Sequence, residues 1–261
     1  MKRILTVFLA AFMLFVFCGC GKDTSLSDVT ESKVLLTGTN MNCSPYGYQT
    51  ESGAYAGFNL DLAQKVATKL GVTLNLSDLE SQNAADLLKD GTIDLLAGNQ
   101  SLGIGEERGM LASDTIFVNK IVIAVRAGAG IGEIAQLSEK NIGVASGSVA
   151  EEAFEGNREL KSKANKQEFE NVEAALAALN DGSVDAIVAD EMFIRHAVKN
   201  GSSVLMLEEV LEERPYSLMV RKGDQALKEK IDEILLELEA DGTLQDLSIK
   251  WFGADVITLK P

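Results

Sequence analysis

The chain is 261 residues long, 46% apolar, and carries 39 acidic against 24 basic side chains, a formal net charge of −15. That length buries a real core, as one large domain or two modest ones. The acid excess argues against nucleic acid or anionic membrane surfaces as electrostatic partners, which both repel it; a small ligand, which feels only its own pocket, is unaffected.

Lys2 and Arg3 precede an uncharged apolar run, Ile4 to Phe17, and then Cys18-Gly19-Cys20. The run is shorter than the about 20 residues of a membrane span. A basic start, an apolar middle and a small residue before the cut describe an export signal over 1–19. Its end resembles the bacterial lipoprotein signal, in which a cysteine after a small residue becomes lipidated. Cys20 behind Gly19 fits, Cys18 behind bulky Phe17 does not, and Phe17 stands where leucine is usual. A plain secretory signal with incidental cysteines is the alternative. With Cys18 removed and Cys20 lipidated, Cys43 is the remaining thiol, and no disulfide framework or Cys-rich metal site can form. The mature chain then has 22 basic against 39 acidic side chains, net −17. The polar stretch Gly21 to Ser32 reads as a flexible tether, so residues 20–33 form the lipid-bearing linker.

From Lys33 onward, short apolar runs alternate with helical patterns. Strands are expected at Val34–Gly38, Val72–Leu76, Ile93–Ala97, Ile116–Arg126, Asn141–Ala145, Val184–Ala189, Val204–Leu207 and Tyr216–Arg221. Leu62, Val66 and Leu70 mark one helical face, and Ile231, Ile234, Leu235 and Leu238 another; Gly71 and Gly242 sit where helices should stop. The alternation implies βαβ units and mostly parallel, covered sheets. LLKDGTIDLLA (87–97) returns in outline as ALNDGSVDAIVA (178–189): a helix ends at Asp-Gly, a polar residue follows, and Ile/Val-Asp opens a buried strand. A common connector used twice is the plain explanation; two similarly built lobes is the fuller one. Ligands of open α/β sheets bind beyond the carboxyl ends of strands, which points to GNQSLGIGEER (98–108) and DEM (190–192).

Taken in order, GFNLDLAQKVATKLGV (57–72), LKDGTIDLLAG (88–98), Ile-Gly-Glu-Glu-Arg, NIGVASGS (141–148), GSVDAIVADE (182–191), RPYSLMVRKGD (214–224), LEADGT (238–243) and KWFG (250–253) give the chain a family likeness from about Val34 to Gly253. It resembles the bacterial extracellular solute-binding proteins, family 3, which deliver polar amino acids to ABC transporters. The resemblance implies that Arg108 grips the ligand carboxylate by two parallel charge-assisted hydrogen bonds. It implies that Ser101 adds a hydroxyl and Gly103, where Ser or Thr is usual, a backbone N–H. Gly147-Ser148-Val149 precedes a helix whose start suits an anion, and Asp190 takes the ligand ammonium. Duller roles stand beside these. Arg108 beside Glu106 and Glu107 fits a solvated ion pair, and Asp190 and Ser148 fit ordinary N-caps.

The family commonly sandwiches the ligand side chain between aromatics, and the aligned positions here are Cys43, in TNMNCSPYGY (39–48), and Ser81. Asn40 stands where receptors for basic amino acids carry Asp, so a neutral or polar ligand is expected. Tyr46 or Tyr48 offers a replacement ring, though a core tyrosine is the simpler use of either. GIGEIA (130–135) matches the weaker dinucleotide fingerprint G-x-G-x-x-A, but too little chain follows it before the next strand, and it reads as a loop. His196 is the sole histidine, mid-helix and without a metal-ligand partner at useful spacing. The acid run Glu208–Glu213 reads as a solvated face.

The expectation is therefore an α/β, two-lobed, type II periplasmic-binding-protein-like fold with its ligand cleft between the lobes. Lobe 1 spans 34–122 plus 216–253, lobe 2 spans 127–214, with hinge crossings at 121–126 and 215–216 and a tail at 254–261. The expected partners are an amino acid, the subunits of an ABC transporter permease, and the membrane through the lipid on Cys20. The chain is expected to be monomeric, with no cofactor, metal or catalysis. An amino-acid sensor, or an exported enzyme such as a dehydratase on the same fold, are the competing readings.

Overall fold

The computed structural model describes residues 23–79, 83–98 and 109–259. Strand β1 (Val34–Thr39), helix α2 (Phe58–Leu70), β5 (Thr73–Asp78), α3 (Ala84–Asp90) and β6 (Leu95–Leu96) form a βαβαβ unit with β1 central and parallel to both neighbours. The unit recurs as β9 (Asn141–Ala145), α4 (Val149–Gly156) with α5 (Arg158–Lys163), β10 (Asn165–Phe169), α6 (Val172–Asp181) and β11 (Ala186–Asp190), with β9 central. Each unit is completed by two antiparallel strands: β13 (Met219–Arg221) and β7 (Met110–Ala112) extend the first sheet, β8 (Phe117–Arg126) and β12 (Val204–Tyr216) the second. Half of the pairings in each sheet are thus antiparallel, where mostly parallel sheets were expected. The other helices among the described residues are α1 (Ser25–Ser32), α7 (Glu191–Lys199), α8 (Gln225–Ala240) and α9 (Thr243–Phe252).

The repeated connector in the sequence has the same geometry in both units. Gly91 and Gly182 end α3 and α6 in the left-handed conformation (φ +80° and +89°), where a side chain is strained. Asp94 then accepts from Leu36 N at 3.0 Å, and Asp185 from Asn141 N at 2.9 Å, each carboxylate fixing the start of a central strand. The Ile/Val-Asp step is therefore a strand-pairing device in both units.

Among the described residues the chain passes between the sheets at 113–116 and at 217–218. Ser113 N donates to Leu218 O at 2.8 Å and Ile116 N to Tyr216 O at 2.9 Å, tying the passages together. The crossing expected at 121–126 falls elsewhere: those residues lie inside β8, paired on one side with β11 and on the other with β12. An apolar run continuing through Arg126 gave no sign that its first residues already belong to the second sheet.

Two further elements were not anticipated. Asn42–Cys43 (β2), Gly47–Gln49 (β3) and Tyr55–Ala56 (β4) form a small antiparallel sheet. The stretch read as a flexible tether is helix α1 from Ser25 to Ser32. Its polar surface hid one buried valine, Val29, which joins the core beneath α8. The acid run lies within β12, where its side chains are exposed or half-buried. His196 of α7 contacts Trp251 O through Nδ1 at 2.7 Å, a packing role.

Candidate functional site

The GFNLD motif builds the floor of the site. Gly57 has φ +150°, and a Cβ there would lie 2.1 Å from Tyr46 O, so only glycine lets 43–46 fold against the start of α2. Phe58 N and Asn59 N then donate to Pro45 O and Tyr46 O. Buried Asn59 donates to Thr39 Oγ1 and Ala97 O, both at 2.9 Å, and accepts from Tyr216 OH at 2.5 Å. Tyr46 and Phe117 stack on either side of Tyr216 at 5.9 and 4.6 Å. Asp61 reaches the distant KWFG motif, accepting from Trp251 Nε1 at 2.7 Å and Lys250 Nζ at 2.6 Å. Two sequence motifs nearly 200 residues apart thereby hold one another in place.

Above this floor lies a cavity of about 200 Å³ between the 42–46 segment and the second sheet's strand ends and helix starts. That is below the ~300–1,000 Å³ of drug-sized sites, and suits a small solute. Cys43, Ser148, Val149 and Asp190 all line it, as do Tyr46, Asn171, Glu173 and Phe193. Four residues singled out from sequence thus meet in one place.

Asp190 ends β11 and caps α7, accepting from Met192 N (2.9 Å) and Phe193 N (3.3 Å). It also accepts from Tyr46 OH, at 3.1 Å to Oδ1 and 3.3 Å to Oδ2, and from Asn119 Nδ2 on Oδ2. Asn119 is itself fixed, its Oδ1 accepting from Lys120 N at 2.9 Å. Burial first, and Asp190 second, push the Tyr46 hydroxyl well above its ordinary pKa, so it is a neutral donor. Burial, then Asp190 and Glu173, push the Cys43 thiol up to about 12.

Ser148 caps α4: its hydroxyl donates to Ala145 O at 2.6 Å and accepts from Glu151 N at 3.2 Å, while Gly147 N donates to Glu151 Oε2. The serine side chain is thus committed to the helix. The N–H groups of Val149 and Ala150, which have no carbonyl one turn back, belong to residues lining the cavity.

Asn40 is not brought to this cavity. It is exposed, and its Oδ1 accepts from Asn42 N at 2.8 Å, a local turn. Arg108, Ser101, Gly103, Ser81 and Cys20 lie outside the described residues. Sequence reasoning missed Asn119, Asn171 and Glu173. For Asn119 a signal existed, an uncharged amide at an inward position of the strand FVNKIVIAVR; Asn171 and Glu173 sit at an ordinary helix start that nothing local distinguishes.

The family model for bacterial extracellular solute-binding proteins, family 3, matches residues 35–254, and the chain belongs to that family. Among named relatives, it is 24% identical over 259 residues to the "Arginine-binding extracellular protein ArtP" of Bacillus subtilis (strain 168), covering 98% of this chain and 100% of that one. It is 27% identical over 234 residues to the "L-cystine-binding protein TcyJ" of Escherichia coli (strain K12), covering 88% and 87%. Among solved structures, a substrate-binding protein of an ABC uptake transporter from Streptococcus pneumoniae with bound histidine matches with a TM-score of 0.75 and 28% identity, covering 91% of this chain and 99% of that one. These relatives are named as binding proteins, and the expected two-lobed α/β class is the class of these neighbours.

Proposed function

We propose that this chain is a receptor that closes two lobes on a free amino acid or close derivative and hands it to an ABC permease, held at the membrane by lipid on Cys20. In this reading one lobe is built on each five-stranded sheet, and the chain bends between them at 113–116 and 217–218. The reading rests most on one observation: Cys43 and Tyr46, packed on the first sheet's core, share a small cavity with Ser148, Val149 and Asp190 from the second. In this reading Arg108 grips the carboxylate, with Ser101 and the Gly103 N–H beside it. The first-turn N–H groups after Ser148 help, and the negative charge of the Asp190 carboxylate attracts the ammonium. Contacts on both lobes favour the closed form by their own free energy. No helix among the described residues is long and apolar enough to cross a membrane. The reading is non-enzymatic.

Calorimetric titration against a panel of free amino acids, cystine and short peptides tests it. Saturable one-to-one binding of at least one free amino acid is expected. No heat from any of them would overturn the reading.

A further inference from the structure

The stretch ahead of β1 is built into the body, and Asp23, three residues after Cys20, already contacts it. Asp23 Oδ2 accepts from Ala226 N at 2.6 Å and its Oδ1 from Ser25 Oγ at 2.7 Å, while Ser25 Oγ accepts from Leu227 N at 3.3 Å. These groups satisfy the opening N–H donors of α8, whose own N-cap residue, Asp224, makes no side-chain cap and is turned to Arg221 instead. Ser25 is buried, Val29 is in the core, and Leu26 packs against it. Lys33, in the left-handed conformation, then turns the chain straight into β1. An acid from the N-terminal segment therefore caps a helix about 200 residues away.

We propose, building on the lipid-anchored reading above, that this segment is a short bracket that holds the α1–α8 corner of the body against the outer surface of the membrane. Gly21 and Lys22 alone separate Cys20 from Asp23, and three residue steps span at most about 10 Å in any conformation. The apposition is imposed by covalent reach, since the lipidated chain, with 22 basic against 39 acidic side chains, is repelled by an anionic bilayer. A loose tether would let such a body ride away from the surface; a docked one does not. Because α1 rests on α8 and β1, the bracket fixes the part of the molecule built on the first sheet. The part built on the second sheet is the one left to swing when the lobes close.

The test is neutron reflectometry of the full chain, acylated at Cys20, on a supported bilayer of phosphatidylcholine with a fraction of phosphatidylglycerol. Two variants accompany it: a ten-residue Gly-Ser insertion between Lys22 and Asp23, which leaves α1 docked, and Asp23→Ala with Ser25→Ala and Val29→Asp, which releases it. The wild-type layer should begin within about 10 Å of the headgroups with a sharp inner edge. The insertion should raise and broaden that edge by roughly 15–20 Å, the r.m.s. reach of such a linker, and the released variant should resemble it. A wild-type profile as broad as that of the insertion overturns the bracket while leaving the anchor intact. Loss of the wild-type protein from the bilayer on washing overturns the anchored reading, and the bracket with it.

Discussion

Replacing Asp190 with asparagine isolates the polar knot beneath the cavity. The new amide keeps Oδ1 for Met192 N and Tyr46 OH, but turns an NH2 towards Asn119 Nδ2. Asn119 cannot answer by flipping, because its oxygen is held by Lys120 N, and at 1% exposure water does not intervene. One hydrogen bond to a charged group is lost, about 1.5–3 kcal/mol, and a buried donor is left unsatisfied, about 1–3 kcal/mol. Allowing for overlap between these, Asp190→Asn should cost roughly 2–4 kcal/mol of stability. At about 2–4 °C per kcal/mol for a chain of this size, that is a fall of roughly 5–15 °C in Tm. Adding Asn119→Asp restores the match, since a carboxylate at position 119 would accept both from the amide introduced at position 190 and from Lys120 N. Urea unfolding of the ligand-free protein followed by circular dichroism reads the cycle. The double variant should recover at least about 1 kcal/mol relative to the sum of the singles. Additive losses, or a single variant within about 0.5 kcal/mol of wild type, would refute the arrangement of donors described here.

If Arg108 grips the ligand carboxylate as proposed, Arg108→Ala should weaken binding of any amino acid ligand by about 2–5 kcal/mol, the cost of leaving that charge unpaired; near-normal affinity by calorimetry removes Arg108 from that role. Cys43, with its thiol raised to about 12, should stay largely unmodified by iodoacetamide at pH 8 in the folded protein and react on unfolding; rapid labelling of the native chain contradicts its placement. Glu151 and Glu155 are held below the ordinary glutamate value of 4.5, chiefly by hydrogen bonds from Lys166. The stability they bring is present above that value and is lost as pH falls through their lowered pKa values. Lys166→Met should therefore destabilise at pH 7 and flatten the acid limb of the stability curve; an unchanged acid limb in urea melts from pH 7 to 3 counts against it.

The connectors were the most legible part of the fold. Asp-Gly followed by Ile/Val-Asp needs a left-handed glycine and a carboxylate on a neighbouring strand's N–H, and both demands are written within a few adjacent residues. Asp190 and Ser148 were legible for a similar reason, since a cap is a local contact that follows a strand end. Asn40 lies outside the cavity, since a position in the chain says nothing of which way a short turn points its side chain. Helix α1 was hidden because Leu26 and Val29 are its two apolar residues among polar ones, and their packing depends on α8, far along the chain.

The sequence by itself determined what is set by near neighbours along the chain: strands and helices from apolar spacing, helix ends from glycine, and a repeated unit from its repeated connector. The tertiary structure alone decided where the chain changes sheets, which donors meet on Asp190, and that an N-terminal acid caps α8. Those contacts join residues tens to hundreds of positions apart, and no local pattern records the packing that brings them within hydrogen-bonding distance.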